Sequence, residues 1–279
     1  MAREKFDFGI DLGTTNSAIA YMDNGQIKII KSSGFQKDTT PSKVQFTRKS
    51  IRVGDSAKGK NIFSEFKRTM GTDKTYNCEY MEHPYGSEEL SAEVLKQLKG
   101  YVSEENIQAT VITVPNQFNQ NQIDATQRAA ELAGFQSCEL LQEPIAASMA
   151  YGMEAMTMDG HWLVFDFGGG TFDSALMTVN EGIMKVVDTG GNNHLGGKDI
   201  DSAIIDNILI PRLQGEYAID ELLSSAEKGF DLRLELKLAA ETLKIALSNK
   251  SKEDYFTDEP VCDDDDGEHK KWWGIIVVV

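Results

Sequence analysis

The stretch Val164-Phe165-Asp166-Phe167-Gly168-Gly169-Gly170-Thr171-Phe172-Asp173 decides how the rest of the chain is read. An apolar run ends in a carboxylate, three glycines turn the chain, and a Thr and a second Asp open the next run. The pattern predicts strand, turn, strand. Consecutive glycines free the backbone to aim its N–H groups at an anion, with no side chain in the way. Asp166 and Asp173 are unsuited to touching phosphate but suited to holding the Mg²⁺ that accompanies it. Taken alone, the same residues also fit an ordinary hairpin with a glycine turn.

The chain repeats the pattern. Phe8-Gly9-Ile10-Asp11-Leu12-Gly13-Thr14-Thr15-Asn16-Ser17 is again apolar strand, Asp, glycine turn, Thr and strand, with Asp11 matching Asp166 and Gly13 matching Gly168. A repeated supersecondary unit at long spacing predicts two related lobes. Two anion-holding turns on two lobes would face each other across a cleft, where ligands usually bind. A nucleotide with its Mg²⁺, gripped from both sides, fits that arrangement.

Composition narrows the surroundings. A chain of 279 residues allows one large domain or two moderate ones. Hydrophobic content of 41% and charged content of 26% are ordinary for a soluble globular protein. A balance of 28 basic against 44 acidic residues, net −16, argues against nucleic acid or an anionic membrane as partner. Cys78, Cys138 and Cys262 are scattered, without metal spacing, and read as free thiols in a reducing compartment. Met1-Ala2-Arg3-Glu4-Lys5 leads straight into a strand without a signal-peptide apolar stretch, and Gly274–Val279 is far too short to cross a membrane. The expected location is the cytoplasm.

Three strands are predicted at Phe6–Asp11, Ser17–Met22 and Gln26–Lys31, the last two joined by a hairpin turn at Asp23-Asn24-Gly25. A more polar insert comes next, from about residue 39 to 108, with helices expected over Ala57–Met70 and from Ser91 to Glu104. Thr110–Pro115 is a buried strand and Asn119–Ala133 a helix with an Asn cap and Gly134 beyond its end. Cys138–Leu141 reads as a strand and Pro144–Tyr151 as a helix. The order then restarts with strands Trp162–Asp166, Thr171–Val179 and Met184–Gly190, a helix over Ile200–Gln214, and a mostly helical stretch Asp220–Ser248. This predicts an α/β protein with one lobe over residues 1–155 and a second over 156–279, the latter with an insert from about residue 220. The second repeat looks unfinished, which reads as a truncated chain.

Several motifs bear on chemistry. Gly191-Asn192-Asn193-His194-Leu195-Gly196-Gly197-Lys198 nearly fits a phosphate-binding P-loop, but Gly197 stands where Lys is required. It remains a third glycine turn, Gly196-Gly197, at a helix N-terminus that favours phosphate oxygens. Lys67 and Arg68 are the basic candidates to approach phosphate; a solvated Lys-Arg pair is the plainer reading. At about 100° per residue, Glu241, Lys244 and Ser248 share one narrow face of a helix, opposite Leu236, Ala239, Leu243, Ala246 and Leu247. That stripe fits either an ordinary solvated face or the lining of a nucleoside pocket. The four histidines show no metal spacing, and the run Asp263–Asp266 lacks the spacing of a calcium loop.

Together these stretches resemble the ATPase domain of the DnaK-type 70-kDa heat-shock chaperones, in the actin and sugar-kinase superfamily. The likeness runs through Gly9–Ser17, Thr40-Pro41-Ser42, Lys67-Arg68, Val111–Pro115, Glu143–Gly152, Asp166–Asp173, His194–Asp199 and the Glu241–Ser248 helix, and covers about residues 5–250. It implies an actin-like (ribonuclease H-like) two-lobed α/β fold, each lobe a mixed five-stranded sheet with flanking helices, the second incomplete. It also implies ATP/ADP and Mg²⁺ as ligands. Gly13, Thr14, Thr15, Asn16, Gly168, Gly169, Gly170 and Thr171 would cradle the phosphates, and the third turn, Gly196-Gly197, belongs with them. Asp11 and Asp166 would hold Mg²⁺ through waters, while Glu143 and Asp173 place the attacking water. Lys67 would stabilise charge on the γ-phosphate; Glu241, Lys244 and Ser248 would line the adenosine pocket. Pro115 corresponds to the family's switch proline.

Departures stand beside the likeness. Ile245 replaces the family's usual Arg against adenine, Ile123 the Arg that partners the switch proline, and the insert between Gly71 and Ala109 is short. The expected function is hydrolysis of Mg-ATP to ADP and phosphate, coupled in a full-length protein to client-peptide release. The partners implied there are client peptides, a J-domain co-chaperone and a nucleotide-exchange factor. The alternative is a nucleotide-binding interaction or actin-like filament module without useful turnover; a small-molecule kinase is more distant, as no sugar site is evident.

Overall fold

The computed structural model describes residues 8–102, 107–155, 160–181, 183–217, 219–225 and 228–248. The expectations for Met1–Lys5, Phe6, Cys262, Asp263–Asp266 and Gly274–Val279 lie outside them. The chain divides into two compact units, Met1–Gly196 and Gly197–Val279.

The first unit opens with β1 (Phe8–Asp11), β2 (Asn16–Asp23) and β3 (Gln26–Ile29). Asn24 and Gly25 both take positive φ, 51° and 83°, the backbone twist that a two-residue hairpin needs and that Asn-Gly tolerates. The short β4 (Thr40–Pro41) pairs with the start of β2. Next come β5 (Lys43–Phe46), β6 (Ile51–Val53) and β7 (Ile62–Ser64), a separate three-stranded sheet in the order β6-β5-β7.

The helix expected over Ala57–Met70 does not form. Gly59, Asn61 and Glu65 hold φ values of 85°, 58° and 60°, which no right-handed helix accommodates. The Gln45 side chain instead takes up the local backbone. Its Nε2 donates to the carbonyls of Lys58 and Lys60, and its Oε1 accepts from the Lys58 N–H. Beyond β7 the chain makes a single 3-10 turn, Phe66–Thr69, with Phe66 and Lys67 buried.

A small hairpin of β8 (Thr75–Tyr76) and β9 (Tyr85–Gly86) leads into α1 (Ser87–Lys99). This helix starts four residues before the expected Ser91, which is buried inside it. The stronger start signal is Glu89, whose carboxylate accepts from the Gly86 N–H at 2.8 Å, close to the helix's positive end. Strand β10 (Ala109–Val114), helix α2 (Gln120–Leu132), strand β11 (Ser137–Gln142) and helix α3 (Glu143–Ala155) come after it. At α2 the Asn cap forms where expected, and Gln122 completes it into a capping box: Asn119 Oδ1 accepts from the Gln122 N–H and Gln122 Oε1 from the Asn119 N–H.

The resulting sheet is mixed and runs β11-β10-β1-β2-β3, parallel across β11, β10 and β1 and antiparallel beyond. Ile10, Ile19 and Ile112 from the sheet are almost wholly buried in one core with Leu90, Leu95 and Leu98 of α1 and Ala129 and Ala130 of α2. Each large aliphatic side chain there contributes about 1.5–3 kcal/mol. This core fixes the C-terminal ends of β1 and β10.

The same unit carries an antiparallel sheet of β12 (Gly160–Phe167), β13 (Phe172–Asn180) and β14 (Ile183–Asn192), paired in sequence order. Asp166 lies opposite Asp173 across β12 and β13, so the tight turn between them holds both carboxylates at one end of the sheet.

The second unit is helical. The stretch expected as one helix from Ile200 begins at Gly197: α4 (Gly197–Ile204), a π-helical segment Ile205–Leu209, then α5 (Ile210–Glu216). Pro211 explains the widening, since it has no N–H and its ring crowds the carbonyl four residues back. α6 (Asp220–Ser224) and α7 (Lys228–Leu247) complete it. Ile205, Leu209 and Leu213 pack with Leu232, Leu236, Ala239 and Leu243, the α7 face the sequence marks as apolar.

No helix among the described residues is long and apolar enough to cross a membrane. Cys78 and Cys138 carry free thiols, and burial pushes the Cys138 thiol up to about 11, out of the reactive range.

Candidate functional site

The three glycine turns of the first unit touch one another. A Cβ on Gly169 would fall 1.9 Å from Thr15 Oγ1, one on Gly170 2.6 Å from Thr14 Cγ2, and one on Gly196 2.5 Å from the Gly170 nitrogen. A Cβ on Gly13 would sit 2.1 Å from the Asn16 carbonyl oxygen, so that turn is also too tight for a side chain. The glycines therefore do two things. They keep side chains out of the turns, and they let Gly13–Asn16, Gly168–Thr171 and Gly196 approach to contact distance.

Each turn has its own support. Ser42 Oγ donates to the Gly13 carbonyl at 2.7 Å, and the Ser42 N–H donates to the Thr15 carbonyl at 2.8 Å. The second turn closes on itself, with the Gly168 N–H donating to the Thr171 carbonyl at 2.9 Å. The third is held through its approach. Asn193 Nδ2 donates to the Gln117 carbonyl at 2.9 Å and Arg68 Nη2 to the His194 carbonyl at 3.0 Å. Arg68 is thus a structural tie, distinct in role from its neighbour Lys67.

Lys67 is only 4% exposed, on the 3-10 turn, and its Nζ donates to Glu143 Oε1 at 2.6 Å. Its ammonium also lies 5.8 Å from the centre of the Phe118 ring. The solvated-face reading of this lysine is wrong. Glu143 begins α3 directly after β11, so the pair links the insert to the main sheet. Burial pushes the Glu143 carboxyl above its ordinary value even with Lys67 beside it, and the charges of Asp11 and Asp173 add to the rise.

The other carboxylates sit around this pair. Asp11 closes β1, and Thr113 Oγ1 donates to its Oδ1 at 2.9 Å. Asp166 is pushed up by burial and then by the charge of Asp11, with Lys67 opposing. Asp173 is pushed up chiefly by burial, although the Asn116 N–H donates to its Oδ1 at 2.8 Å. Four carboxylates and one buried ammonium therefore share one electrostatic neighbourhood. Such an excess of negative charge is suited to a divalent cation. Among the described residues no cluster of three His, Cys, Asp or Glu side chains is arranged to bind a metal.

Besides Asn193 Oδ1 at the approach to the third turn, two buried oxygens in this region lack a partner: Thr15 Oγ1 and Asp173 Oδ2. An unsatisfied buried polar atom costs about 1–3 kcal/mol, and both atoms fit a ligand that brings its own oxygens and water. The residues present match a phosphate chain with its cation.

In the second unit, Glu241 pairs with Lys198 at 3.3 Å and Lys244 with Asp201 at 2.5 Å, while Lys244 Nζ also donates to the Gly197 carbonyl. The polar stripe of α7 is thus tied to α4, the helix that Gly197 begins. Ser248 Oγ turns back to the Lys244 carbonyl. Ile245 on the same helix is 61% exposed.

Sequence reading assigned no role to Thr113, Asn116 or Ser42. Thr113 stands two residues before Pro115 at a strand end and Asn116 one after it, which were the available signals. Ile123 packs partly buried beside Met70, Val114 and Phe118, an apolar contact where a polar tie to the Pro115 turn was the family expectation.

A family model described as Hsp70 protein matches residues 7–77 and 60–271. The chain is 38% identical to the chaperone protein DnaK of Mycoplasmopsis agalactiae over 257 residues, 89% of this chain and 41% of that protein. It is 38% identical to that of Thermotoga maritima over 270 residues, 90% and 43% of the two chains. For the DnaK of Mesomycoplasma hyopneumoniae strain J the figures are 39% over 259 residues, 90% and 42%. The chain spans about two fifths of the length of these relatives.

Proposed function

The chain belongs to the Hsp70 protein family, and on that premise we propose that its three touching glycine turns grip Mg-ATP and that Lys67, Glu143 and Asp173 serve its hydrolysis. The observation that carries this reading is the buried Lys67–Glu143 pair, 2.6 Å long, set among Asp11, Asp166 and Asp173. Phosphoryl transfer to water needs little covalent chemistry from a protein; it needs positioning and charge.

The turns Gly13–Asn16 and Gly168–Thr171, with Gly196 packed on them, form the phosphate cradle, and the unpartnered hydroxyl of Thr15 donates into it. Mg²⁺, when bound, would neutralise charge on the phosphate oxygens, and Asp11 and Asp166 are the residues that would hold it. Lys67 stabilises negative charge developing on the transferred group. Glu143, made more basic by burial, accepts a proton from the attacking water, with Asp173 orienting it through its free oxygen. On the second unit, Glu241, Lys244 and Ser248 are the polar residues that would meet a nucleoside. In a full-length protein this cycle drives binding and release of client peptides, timed by a J-domain co-chaperone and a nucleotide-exchange factor.

The exposed Ile245 favours a second reading, a nucleotide-binding interaction module without useful turnover. Phosphate release from ATP with Mg²⁺ separates the two. Turnover that falls by about 10²-fold or more in Lys67→Ala, with ADP still bound, supports hydrolysis. Unchanged turnover in Lys67→Ala, or no ATP binding by the wild-type chain, overturns it. Sedimenting assemblies with ATP and no phosphate release would support the module.

A further inference from the structure

The two Asp-Gly turns look alike in sequence but their carboxylates are not held alike. Strands β1 and β10 run parallel, with Gly9 beside Val111 and Ile10 beside Ile112, so Asp11 at the end of β1 falls beside Thr113, the last residue but one of β10. Thr113 Oγ1 donates to Asp11 Oδ1 at 2.9 Å. Thr110 on the same strand is wholly buried and does a different job, donating to the Phe8 carbonyl at 3.2 Å. The half-buried Thr113 thus directs its hydroxyl to a carboxylate that is itself exposed. Asp166, the counterpart on β12, has no hydrogen-bond donor among the described residues.

We propose that Thr113 is a positioning residue that locks the Asp11 carboxylate and turns its second oxygen toward the cation site, making Asp11 the primary anchor for the metal of a bound nucleotide. This rests on the Mg-nucleotide reading above. A hydrogen bond to one oxygen of a carboxylate fixes its rotamer. The remaining oxygen is then presented in one orientation instead of several, which is how an outer partner of a ligand raises affinity without touching the metal. Asp166 supplies charge to the same site without that fixation.

The test uses the whole chain with ADP and Mn²⁺, whose free ion is counted by electron paramagnetic resonance, so no turnover is needed. Thr113→Val keeps the side-chain shape and suits a strand; Thr113→Ser keeps the hydroxyl. Val should raise the Mn²⁺ concentration for half-saturation about tenfold, equivalent to about 1.4 kcal/mol. Ser should stay within about twofold of wild type, and thermal melting without ligand should agree among all three within a few degrees. Wild-type cation affinity in Thr113→Val overturns the assignment and leaves the nucleotide reading standing. Equal impairment of Val and Ser, or a loss accounted for by a lowered melting temperature, also overturns it. If the wild-type chain binds no Mn-ADP, both ideas fall together.

Discussion

The turn after β1 and the turn after β12 share a motif and differ in what supports them. Gly13–Asn16 is braced from outside: Ser42 contributes a hydroxyl and an N–H, and Thr113 holds the neighbouring Asp11. Gly168–Thr171 braces itself with one backbone bond and is otherwise defined by what packs on it, namely Thr14, Thr15 and Gly196. The first turn is a fixed wall and the second is moulded against it. Sequence similarity of two loops therefore does not make their chemistry symmetrical; the neighbours assign the roles.

The sharpest way to break that contrast is Gly196→Ala. Its Cβ would meet Gly170 N, Gly169 C and Gly168 O at 2.5–2.8 Å, all backbone atoms that cannot rotate away. A loss of about 3 kcal/mol is expected, at the upper end for overpacking, read as a lowered urea midpoint. Gly168→Ala, whose nearest contact is the Thr171 carbonyl at 3.3 Å, should cost less than half as much. Equal losses would mean the second turn is not moulded on the third.

Thr15→Val is a smaller probe of the braced turn. It removes a buried hydroxyl that has no partner, so the ligand-free protein should gain about 0.5–1 kcal/mol in chemical denaturation. Calorimetry with ADP and Mg²⁺ should show affinity reduced about tenfold, one charged hydrogen bond's worth. Stability and binding falling together would place this hydroxyl in the fold instead of the site.

The smallest expected effect compares the two carboxylates directly. The folded state raises the Asp166 carboxyl above its ordinary value, so the folded protein holds its proton more tightly than the unfolded chain does. Stability from this group is therefore full below the unfolded value of 3.8 and declines as pH rises through the raised one. Asp166→Asn removes the decline. It should stabilise the ligand-free protein by a few tenths of a kcal/mol at pH 7, with the gain vanishing toward pH 4. Asp11→Asn takes the charged acceptor away from the Thr113 hydroxyl and should bring no such gain; a gain equal to that of Asp166→Asn would restore the symmetry that the motif alone suggests.

Much of this was readable from the residues. Asp23-Asn24-Gly25, the Asn119 cap and the Thr110–Pro115 run each combine local propensity with a turn or cap signal, and each formed where expected. The turn after Asp166 was legible as strand–turn–strand because a glycine cluster separates two apolar runs. What was hidden depended on distant partners. The 57–70 segment has helix-compatible composition, yet Gln45 takes its backbone bonds and three positive φ values break it. Lys67 looked like a solvated cation until Glu143, 76 positions away, was placed against it. Thr113 and Ser42 are ordinary strand and loop residues whose work is set by strand register.

The mutual contact of the glycine turns also sets an order of events during synthesis. Gly13–Asn16 leaves the ribosome long before its packing partners exist, since Gly169, Gly170 and Gly196 come more than 150 residues later. At ~5–20 residues per second, the nascent chain carries an unfinished first turn for about 8–40 s. Ser42 follows early in that interval and Thr113 late in it, so the braces of the first turn are added stepwise before the second turn is threaded onto it. A chain interrupted before Gly168 would hold the first turn alone, with nothing to pack on it.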